Sequence, residues 1–298
     1  MNRLVLPDMI AAPDGVHAHE HVHDRAQDQA LGNDGNALRG AALQCLACTD
    51  PALKVAGVHA LATRWKQGGM LLEASAPPVG TLVLPGRPLL PALVTPLSVP
   101  RRSMATVEGR AVLLHALAHI EFNAINLALD ALWRFDGMPD AYYADWLQVA
   151  DEEALHFSLL SAHLCTQGFS YGDFPAHNSL WELAERTQRD ILARIALVPR
   201  TMEARGLDAS PPMRAKLAQA GDHAAAAILD IILRDEIGHV AVGNYWYRWL
   251  CTQRVLDPLS TYAELVARYR APTPRGPYNL AARRAAGFTD AELALLGE

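Results

Sequence analysis

Cysteine is scarce in this sequence. The 298 residues contain four cysteines, which are too few for the disulfide framework of a small secreted domain. Cys45 and Cys48 form a C-x-x-C, but it stands alone inside an apparent helix (ALRGAALQCLACTD). We interpret both as buried thiols on a helix face, and redox or zinc chemistry is the minor alternative.

An excess of basic residues and long apolar runs are also missing. The net charge of −6 gives no general electrostatic reason to expect nucleic acid or an anionic membrane as partner. The first apolar stretch is broken by Pro7 and Asp8 and lacks a signal-peptide core. The richest later segment, Ala224 to Leu233, contains Asp230 and is too short to cross a bilayer. We expect a cytoplasmic protein that does not enter a membrane.

The overall composition, 51% hydrophobic and 19% charged, is typical of a compact protein. The hydrophobic pattern is helical, and no β-rich region is visible. The proline-rich stretch 76–100 cannot form a helix and must run extended. We predict an all-α protein with a loosely ordered arm at 1–35 and a helical and Pro-rich segment at 36–102 wrapped on a bundle. An antiparallel four-helix bundle at 103–253 and a C-terminal helical tail at 254–298 complete it.

Capping and breaking residues predict the individual helices. Two short helices are expected near 37–48 and 51–67, the second with Asp50 as N-cap, and a capping box at Thr289 and Glu292 begins the last helix. The long helices are expected at Ser103 to Phe135, Asp140 to Gln167, Asn178 to Arg205 and Asp222 to Cys251, with breaks at Gly137 to Pro139, Gly168 to Pro175 and Gly206 to Gly221.

The most informative pattern is a repeated Glu-x-x-His. Copies occur at Glu153–His156 and Glu236–His239, and each follows a lone glutamate, Glu121 or Glu203, by 32 or 33 residues. A three-residue step puts both side chains of a copy on one helix face. Two lone glutamates and two such copies, one from each of four helices, are the ligand set of a carboxylate-bridged dinuclear metal site. We therefore predict that these six side chains are metal ligands.

Three of the glutamates lie on helix faces that should be buried. The positions three, four and seven residues from Glu121 are all apolar, and those around Glu153 and Glu236 are nearly so. A buried carboxylate must be neutralised by a proton, an ion pair or a metal, and few Lys or Arg share these faces. Four carboxylates around two divalent ions form a neutral cluster. Because no thiolate belongs to the set, iron or manganese fits better than structural zinc.

Two parts of the pattern are weaker. Glu203 has mixed neighbours, and Pro199 should kink its helix, so Glu182 and Glu185 on the same helix are the alternatives. A third copy of the motif, Glu20 to His23, lies in the His-rich arm (VHAHEHVHDR). We interpret that tract as solvated, with adventitious metal binding as the alternative.

Two further acids directly precede the motif glutamates. A ligating imidazole usually donates its other N–H to a carboxylate, which fixes the orientation of the ring. We therefore expect Asp235 to hold His156 and Glu152 to hold His239, each across a helix interface. The alternative is that both acids lie on exposed helix faces.

The bundle segments resemble an uncharacterised bacterial family of ferritin-like proteins of unknown function. The likeness rests on HALAHIEFNAINLALD, VADEEALHFSLL, PRTMEARGLD and LRDEIGHVAVGNYW, and continues through PGRP, VPRRS and NLAARRAAGF. It therefore covers most of the chain beyond about residue 36. The resemblance implies a ferritin-like bundle and the same set of metal ligands, Glu121, Glu153, His156, Glu203, Glu236 and His239. Because the family lacks an assigned substrate, it supports fold and site more than reaction.

Three functions compete at this point. The first is an O₂-dependent oxidoreductase, resembling a hydroxylase, with two iron ions and a small or nucleotide-linked substrate; manganese or a mixed pair is the alternative cofactor, and the electron donor is open. The second is iron or manganese binding, ferroxidation or peroxide detoxification without an organic substrate. The third is a helical scaffold with protonated carboxyls. Resemblance to a tRNA-modifying hydroxylase keeps tRNA as an alternative substrate, although the acidic net charge does not favour it. A homodimer is an alternative to a monomer.

Overall fold

The structure is a computed structural model, and it describes residues 36–99 and 103–297. Helices make up most of this part of the chain. No strand forms within it, and its extended pairings are isolated bridges, Ala37 with Leu71 and Leu93 with Ala176. The all-α prediction is therefore confirmed. The predicted arm at 1–35, with its copy of the motif at Glu20 to His23, lies outside the described residues.

Residues from Asn36 onward group into one unit by their contacts, and the predicted boundaries at 102 and 253 stay predictions. The helices are α1 (Leu38–Ala47), α2 (Pro51–Lys66), α3 (Val107–Arg134), α4 (Asp140–Thr166), α5 (Ser179–Arg186), α6 (Ile191–Leu197), a π-helix (Val198–Glu203), α7 (Ala204–Gln219), α8 (His223–Gln253), α9 (Pro258–Tyr269), α10 (Leu280–Ala285) and α11 (Asp290–Ala294), with 3₁₀ turns at Pro96–Ser98 and Leu295–Gly297.

The N-terminal segment has the organisation expected from its prolines. Asp50 caps α2 as predicted, and the described part of the Pro-rich stretch is not helical before the turn at Pro96–Ser98. Gly86 lies against the end of α1, where its N–H donates to Leu46 O at 2.8 Å. A Cβ at this glycine would lie 2.0 Å from Ala47 O, so a side chain is not tolerated. This close approach ties the extended stretch to α1.

The most apolar of the long helices is α3, which packs against α1 and α4. Thr106 caps its first turn by accepting from Gly109 N–H at 3.0 Å. In the described part of the chain it is the one helix with the length and apolar composition of a membrane span, and 89% of that stretch is buried within the protein. Burial of this kind is what the core helix of a folded domain shows.

The third long helix is not continuous, contrary to the prediction of one helix over 178–205. The helix is interrupted after α5, and Asp190 begins α6 by accepting from Leu192 N–H at 3.0 Å. Pro199 has no N–H, so α-helical hydrogen bonding cannot continue through it. The chain instead passes into the π-helix, which ends at Glu203.

The predicted break at 206–221 is wrong over most of its length, because α7 occupies it. Pro211 lies inside this helix and cannot donate to Leu207 O. The side-chain amide of Asn279, from the segment before α10, donates to that oxygen at 3.3 Å instead. The chain turns only at Gly221, where φ is +83°. A long-range contact thus compensates a local helix breaker.

The C-terminal helices pack on the middle of the chain. The capping box is present, since Glu292 N–H donates to Thr289 Oγ1 at 3.3 Å and Thr289 N–H donates to Glu292 Oε2 at 2.7 Å. A small apolar core joins α7 and α8 to this region, formed by Ala204, Leu207, Val240, Ala282, Ala286, Phe288 and Leu293.

Candidate metal centre

Three helices bring four of the six predicted ligands together. Glu121 comes from α3, Glu153 and His156 from α4, and Glu236 from α8, and all four residues are buried. One potential ligand atom from each lies within 4.8 Å of the others. A group of this size and donor type could hold a metal ion.

His239 lies beside this group, and Glu153 lies between the two imidazoles. His239 Nδ1 is 3.0 Å from Glu153 Oε1 and 3.8 Å from Glu236 Oε1. His156 Nδ1 is 3.4 Å from Glu153 Oε2 and 3.5 Å from Glu121 Oε2. Each oxygen of Glu153 therefore faces one histidine.

Glu203 lies at the end of the π-helix, outside the group of four. Its neighbours are nevertheless in the same cluster, because burial and then the carboxylates of Glu236 and Glu153 hold the pKa of Glu203 well above its usual range. We call Glu203 and the five residues above the acid–histidine cluster. The structure thus brings all six sequence-predicted side chains to one region, with Glu203 at its edge.

The acid–histidine cluster contains buried polar atoms that no described group satisfies. Such atoms usually have a partner, because an unsatisfied buried donor or acceptor costs about 1–3 kcal/mol. The 3.0 Å contact between Glu153 and His239 lacks the alignment of a hydrogen bond. The buried atoms without a hydrogen-bond partner in this cluster are Glu121 Oε2, Glu153 Oε1, Glu203 Oε2, Glu236 Oε2 and His239 Nδ1.

The charges of the cluster are not balanced by Lys or Arg. Among the described residues, the ion pairs of Glu121, Glu153 and Glu236 are with histidines alone. Burial and the charge of Glu153 raise the pKa of Glu121 and of Glu236. Burial opposes ionisation of Glu153, but His239 and His156 outweigh it and lower the pKa of that carboxyl. Without an ion, burial and the neighbouring carboxylates therefore favour the protonated forms of Glu121, Glu203 and Glu236.

The two histidine contacts expected from the sequence are present. His156 Nε2 lies 3.1 Å from Asp235 Oδ2, and His239 Nε2 lies 2.8 Å from Glu152 Oε2. Each contact crosses between α4 and α8. Burial would lower the pKa of His156, but its carboxylate neighbours, Glu121 first, raise it to about 11. With Nε2 directed at an acid, each imidazole presents Nδ1 to the interior of the cluster.

Other groups that the sequence made candidates lie elsewhere. His163 Nε2 is 2.9 Å from Asp222 Oδ1 at the start of α8, so its partner is a helix cap. Cys45 and Cys48 are free and half-buried, and burial raises the pKa of the Cys45 thiol to about 11. Trp146 of α4 is buried in the core.

Sequence reasoning missed two groups near the cluster. It did not single out Arg200 of the π-helix, which is buried and forms an ion pair with Glu292. It also missed Tyr171, whose ring packs 5.0 Å from that of Phe157 and whose hydroxyl lies 2.8 Å from His119 Nδ1. The capping box at Thr289 and Glu292 was a visible signal for the Arg200–Glu292 ion pair. The position of Tyr171 depends on a loop contact, which leaves no local pattern in the sequence.

Fold and site together define an all-α protein with a buried carboxylate and histidine cluster that could hold a metal ion. The chain belongs to the family described as "Protein of unknown function (DUF455)", which matches residues 47–294. It is 55% identical over 213 residues to a protein of Haemophilus influenzae (strain ATCC 51907 / DSM 11121 / KW20 / Rd) named "Uncharacterized protein". That match covers 69% of this chain and 74% of the relative. No solved structure matches the chain.

Proposed function

We propose that the chain is a dinuclear metal protein with a ferritin-like four-helix arrangement, and that it is an O₂-dependent oxidoreductase of the hydroxylase type. The observation that carries this proposal is the set of unsatisfied donor atoms in the acid–histidine cluster. Four carboxylate oxygens and one imidazole nitrogen are buried near one another without hydrogen-bond partners among the described residues. A bound metal ion can satisfy several of these donor atoms at once.

The charge of the cluster supports two divalent ions. Four carboxylates, Glu121, Glu153, Glu203 and Glu236, are neutralised by two such ions. Protonation is the alternative way to neutralise these acids, since one carboxyl can donate to a neighbouring carboxylate, as Glu121 can to Glu153. The helical scaffold would need such protons on several acids together, and metal content distinguishes it from a metal protein. Carboxylate and imidazole donors without thiolate favour iron, with manganese or a mixed pair as alternatives.

The protein's own part in the reaction is to hold the ligands and limit the access of water. Two bound iron ions would supply the oxidising chemistry, using O₂ and electrons from an external reductant to oxidise a C–H bond of an organic substrate. Asp235 and Glu152 fix the imidazoles of His156 and His239 by accepting from their Nε2–H groups. Fully buried Glu153 excludes water from the centre of the cluster.

Metal binding or ferroxidation without an organic substrate is the second candidate, and one observation favours it. A cavity of about 400 Å³ lies between the Pro-rich stretch and α5, but its lining includes none of the acid–histidine cluster. This cavity is therefore not a substrate pocket beside the acid–histidine cluster.

Metal content and O₂ uptake test the proposal. Full-length protein is stripped with a chelator, loaded anaerobically with Fe(II), and analysed for iron. We expect two ions in the wild-type protein and in Asp151→Asn, a control on the same helix whose acid pairs with His59 and Lys66. We expect loss of binding in Glu153→Gln.

The O₂ stoichiometry then separates the candidates. Uptake that continues with added reductant and scales with a candidate organic compound supports the hydroxylase. Uptake fixed by the iron added supports ferroxidation. A folded protein that binds no iron or manganese would contradict both functions and leave the scaffold.

A further inference from the structure

The π-helix that carries Glu203 also carries a buried cation. Arg200 keeps 4% of its exposure and forms an ion pair with Glu292, which comes from α11 near the C-terminus. Its guanidinium also lies over three aromatic rings, at 4.8 Å from Tyr247, 4.4 Å from Tyr262 and 5.1 Å from Phe288. The position of this arginine is therefore set by the C-terminal helices and by α8.

Glu292 is itself held in place before it meets Arg200. Its Oε2 accepts from Thr289 N–H at 2.7 Å and from Thr289 Oγ1–H at 2.9 Å, and its Oε1 faces Arg200. The residue is 8% exposed. A buried, hydrogen-bonded carboxylate of this kind fixes the direction of the ion pair, which a mobile surface acid would not do.

Two further contacts fix the same π-helix. The Thr201 hydroxyl donates its one proton to Ala196 O at 2.7 Å, so the Tyr262 hydroxyl donates to Thr201 Oγ1 at 2.8 Å. On the other side, α8 approaches so closely at Gly243 that a Cβ there would lie 3.0 Å from Pro199 Cβ. The backbone of the π-helix is thus held between α8 and the C-terminal helices.

Among the described residues, no hydrogen bond or ion pair orients the side chain of Glu203. Its Oε2 is buried and without a hydrogen-bond partner, and its strongest charged neighbour is Glu236. The direction of its carboxylate therefore depends on the backbone that Arg200 and Glu292 hold.

We propose that Glu292, acting through Arg200, is a positioning residue for Glu203, so that the C-terminal helices set the affinity of the metal ion nearest to Glu203. This inference rests on the proposed dinuclear site. The other ion would be held by Glu121, Glu153 and His156 on α3 and α4, with Glu236 of α8 nearby, and we expect it to depend less on the C-terminal ion pair.

Titration of the full-length, metal-free protein with Mn(II), with free Mn(II) read by electron paramagnetic resonance, tests the inference. In Glu292→Gln, we expect the dissociation constant of the more weakly bound ion to rise about ten- to hundredfold, the usual effect of losing a group that orients a ligand. The constant of the first ion stays as in wild type. Asp290→Asn is the matched control on the same helix, because Asp290 is exposed and pairs only with exposed Arg284 among the described ion pairs.

A double variant, Arg200→Gln with Glu292→Gln, guards against misfolding, because it removes both charges and leaves neither buried alone. We expect the same selective loss of the weaker ion. Wild-type constants in both variants would overturn the inference. Equal weakening of both ions together with a lower melting temperature of the metal-free protein would assign Glu292 a general structural role and also overturn it. Failure of the wild-type protein to bind two ions would instead refute the proposed function itself.

Discussion

Two buried acids on α3 have opposite electrostatic surroundings. Asp130 accepts from Arg134 Nε at 3.0 Å and is also paired with Arg194, so its charge is fully matched within the chain. Burial would raise the pKa of Asp130, but the two arginines outweigh it and lower that pKa. Glu121 lies on the same helix, contacts only His156 among cationic groups, and has a raised pKa because of burial and the nearby Glu153.

The charge of Asp130 is neutralised by arginines of the same chain, whereas the charge of Glu121 is not. Burial alone does not mark a functional site, since Asp130 is as deeply buried as any residue in the core. What sets the acid–histidine cluster apart from Asp130 is that, among the described residues, five of its buried atoms lack a hydrogen-bond partner and no Lys or Arg pairs with Glu121, Glu153 or Glu236. We expect the two kinds of acid to respond differently to substitution, to metal and to pH.

Substitution of Asp130 should have the largest effect on the free energy of unfolding. Asp130→Asn removes the counter-charge of the fully buried Arg194, and loss of one partner of a buried ion pair costs about 3–5 kcal/mol. Urea unfolding in the presence of a chelator measures this. The loss should be the same when metal is added. A loss that disappears with metal would mean that the two regions are not independent.

Metal should stabilise the protein through the acid–histidine cluster alone, and not through Asp130. At a free-metal concentration of about 1,000 times Kd, a ligand that binds only the folded state adds about 4 kcal/mol to the free energy of unfolding. We expect this increment for the wild-type protein, and its absence in Glu153→Gln, from unfolding curves with and without Fe(II) under anaerobic conditions. The exposed-acid variant Asp290→Asn should keep the whole increment. An increment that persists in Glu153→Gln would place the bound ion elsewhere.

The sequence predicted this cluster because its signal is local. Glu153 and His156, like Glu236 and His239, lie one helical turn apart, and the predicted bounds of α3, α4 and α8 agree with the structure to within four residues at each end. The proximity of Glu203 to Glu236 was also expected from spacing. Its exact role as a ligand stays a prediction.

The π-helix, the course of α7 and the pairing of Asp130 with Arg194 could not be predicted, because they depend on contacts between distant segments. The π-helix replaced an expected kink at Pro199, and α7 continued through Pro211 because Asn279 supplies a replacement hydrogen bond. The fully buried partner of Asp130 is Arg194, 64 residues away, in addition to Arg134 on its own helix. From sequence alone, Asp130 and Glu121 are both acids on an apolar helix, and only the repeated motif distinguishes them.

A smaller effect is expected from the acids that hold the histidines. Asp235→Asn leaves His156 Nε2 without its carboxylate and should weaken metal binding about ten- to hundredfold. Arg234→Gln is the matched control, because Arg234 is 69% exposed and pairs with the same acid from the solvent side. Chelator competition measures both. Equal weakening in the two variants would show that the ion pair between Arg234 and Asp235, and not the contact of Asp235 with His156, is what matters.

The pH dependence of the metal-free protein should run in opposite directions for the two regions. The pKa of Asp130 is lowered from 3.8 on folding, so its contribution to stability is present at neutral pH and is lost as the pH falls below that value. The pKa of Glu121 is raised from 4.5, so the folded state keeps its proton longer, and stability is lost as the pH rises above 4.5. Glu121→Gln cannot ionise and should avoid that loss. Its advantage over the wild-type protein, measured as unfolding free energy in chelator from pH 4.5 to 7, should grow by at most about 1.4 kcal/mol per pH unit. If the unfolding free energies of the two proteins change in parallel with pH, Glu121 ionises freely in the folded protein. The contrast with Asp130 would then fail, because the cluster would not need a metal ion to neutralise Glu121.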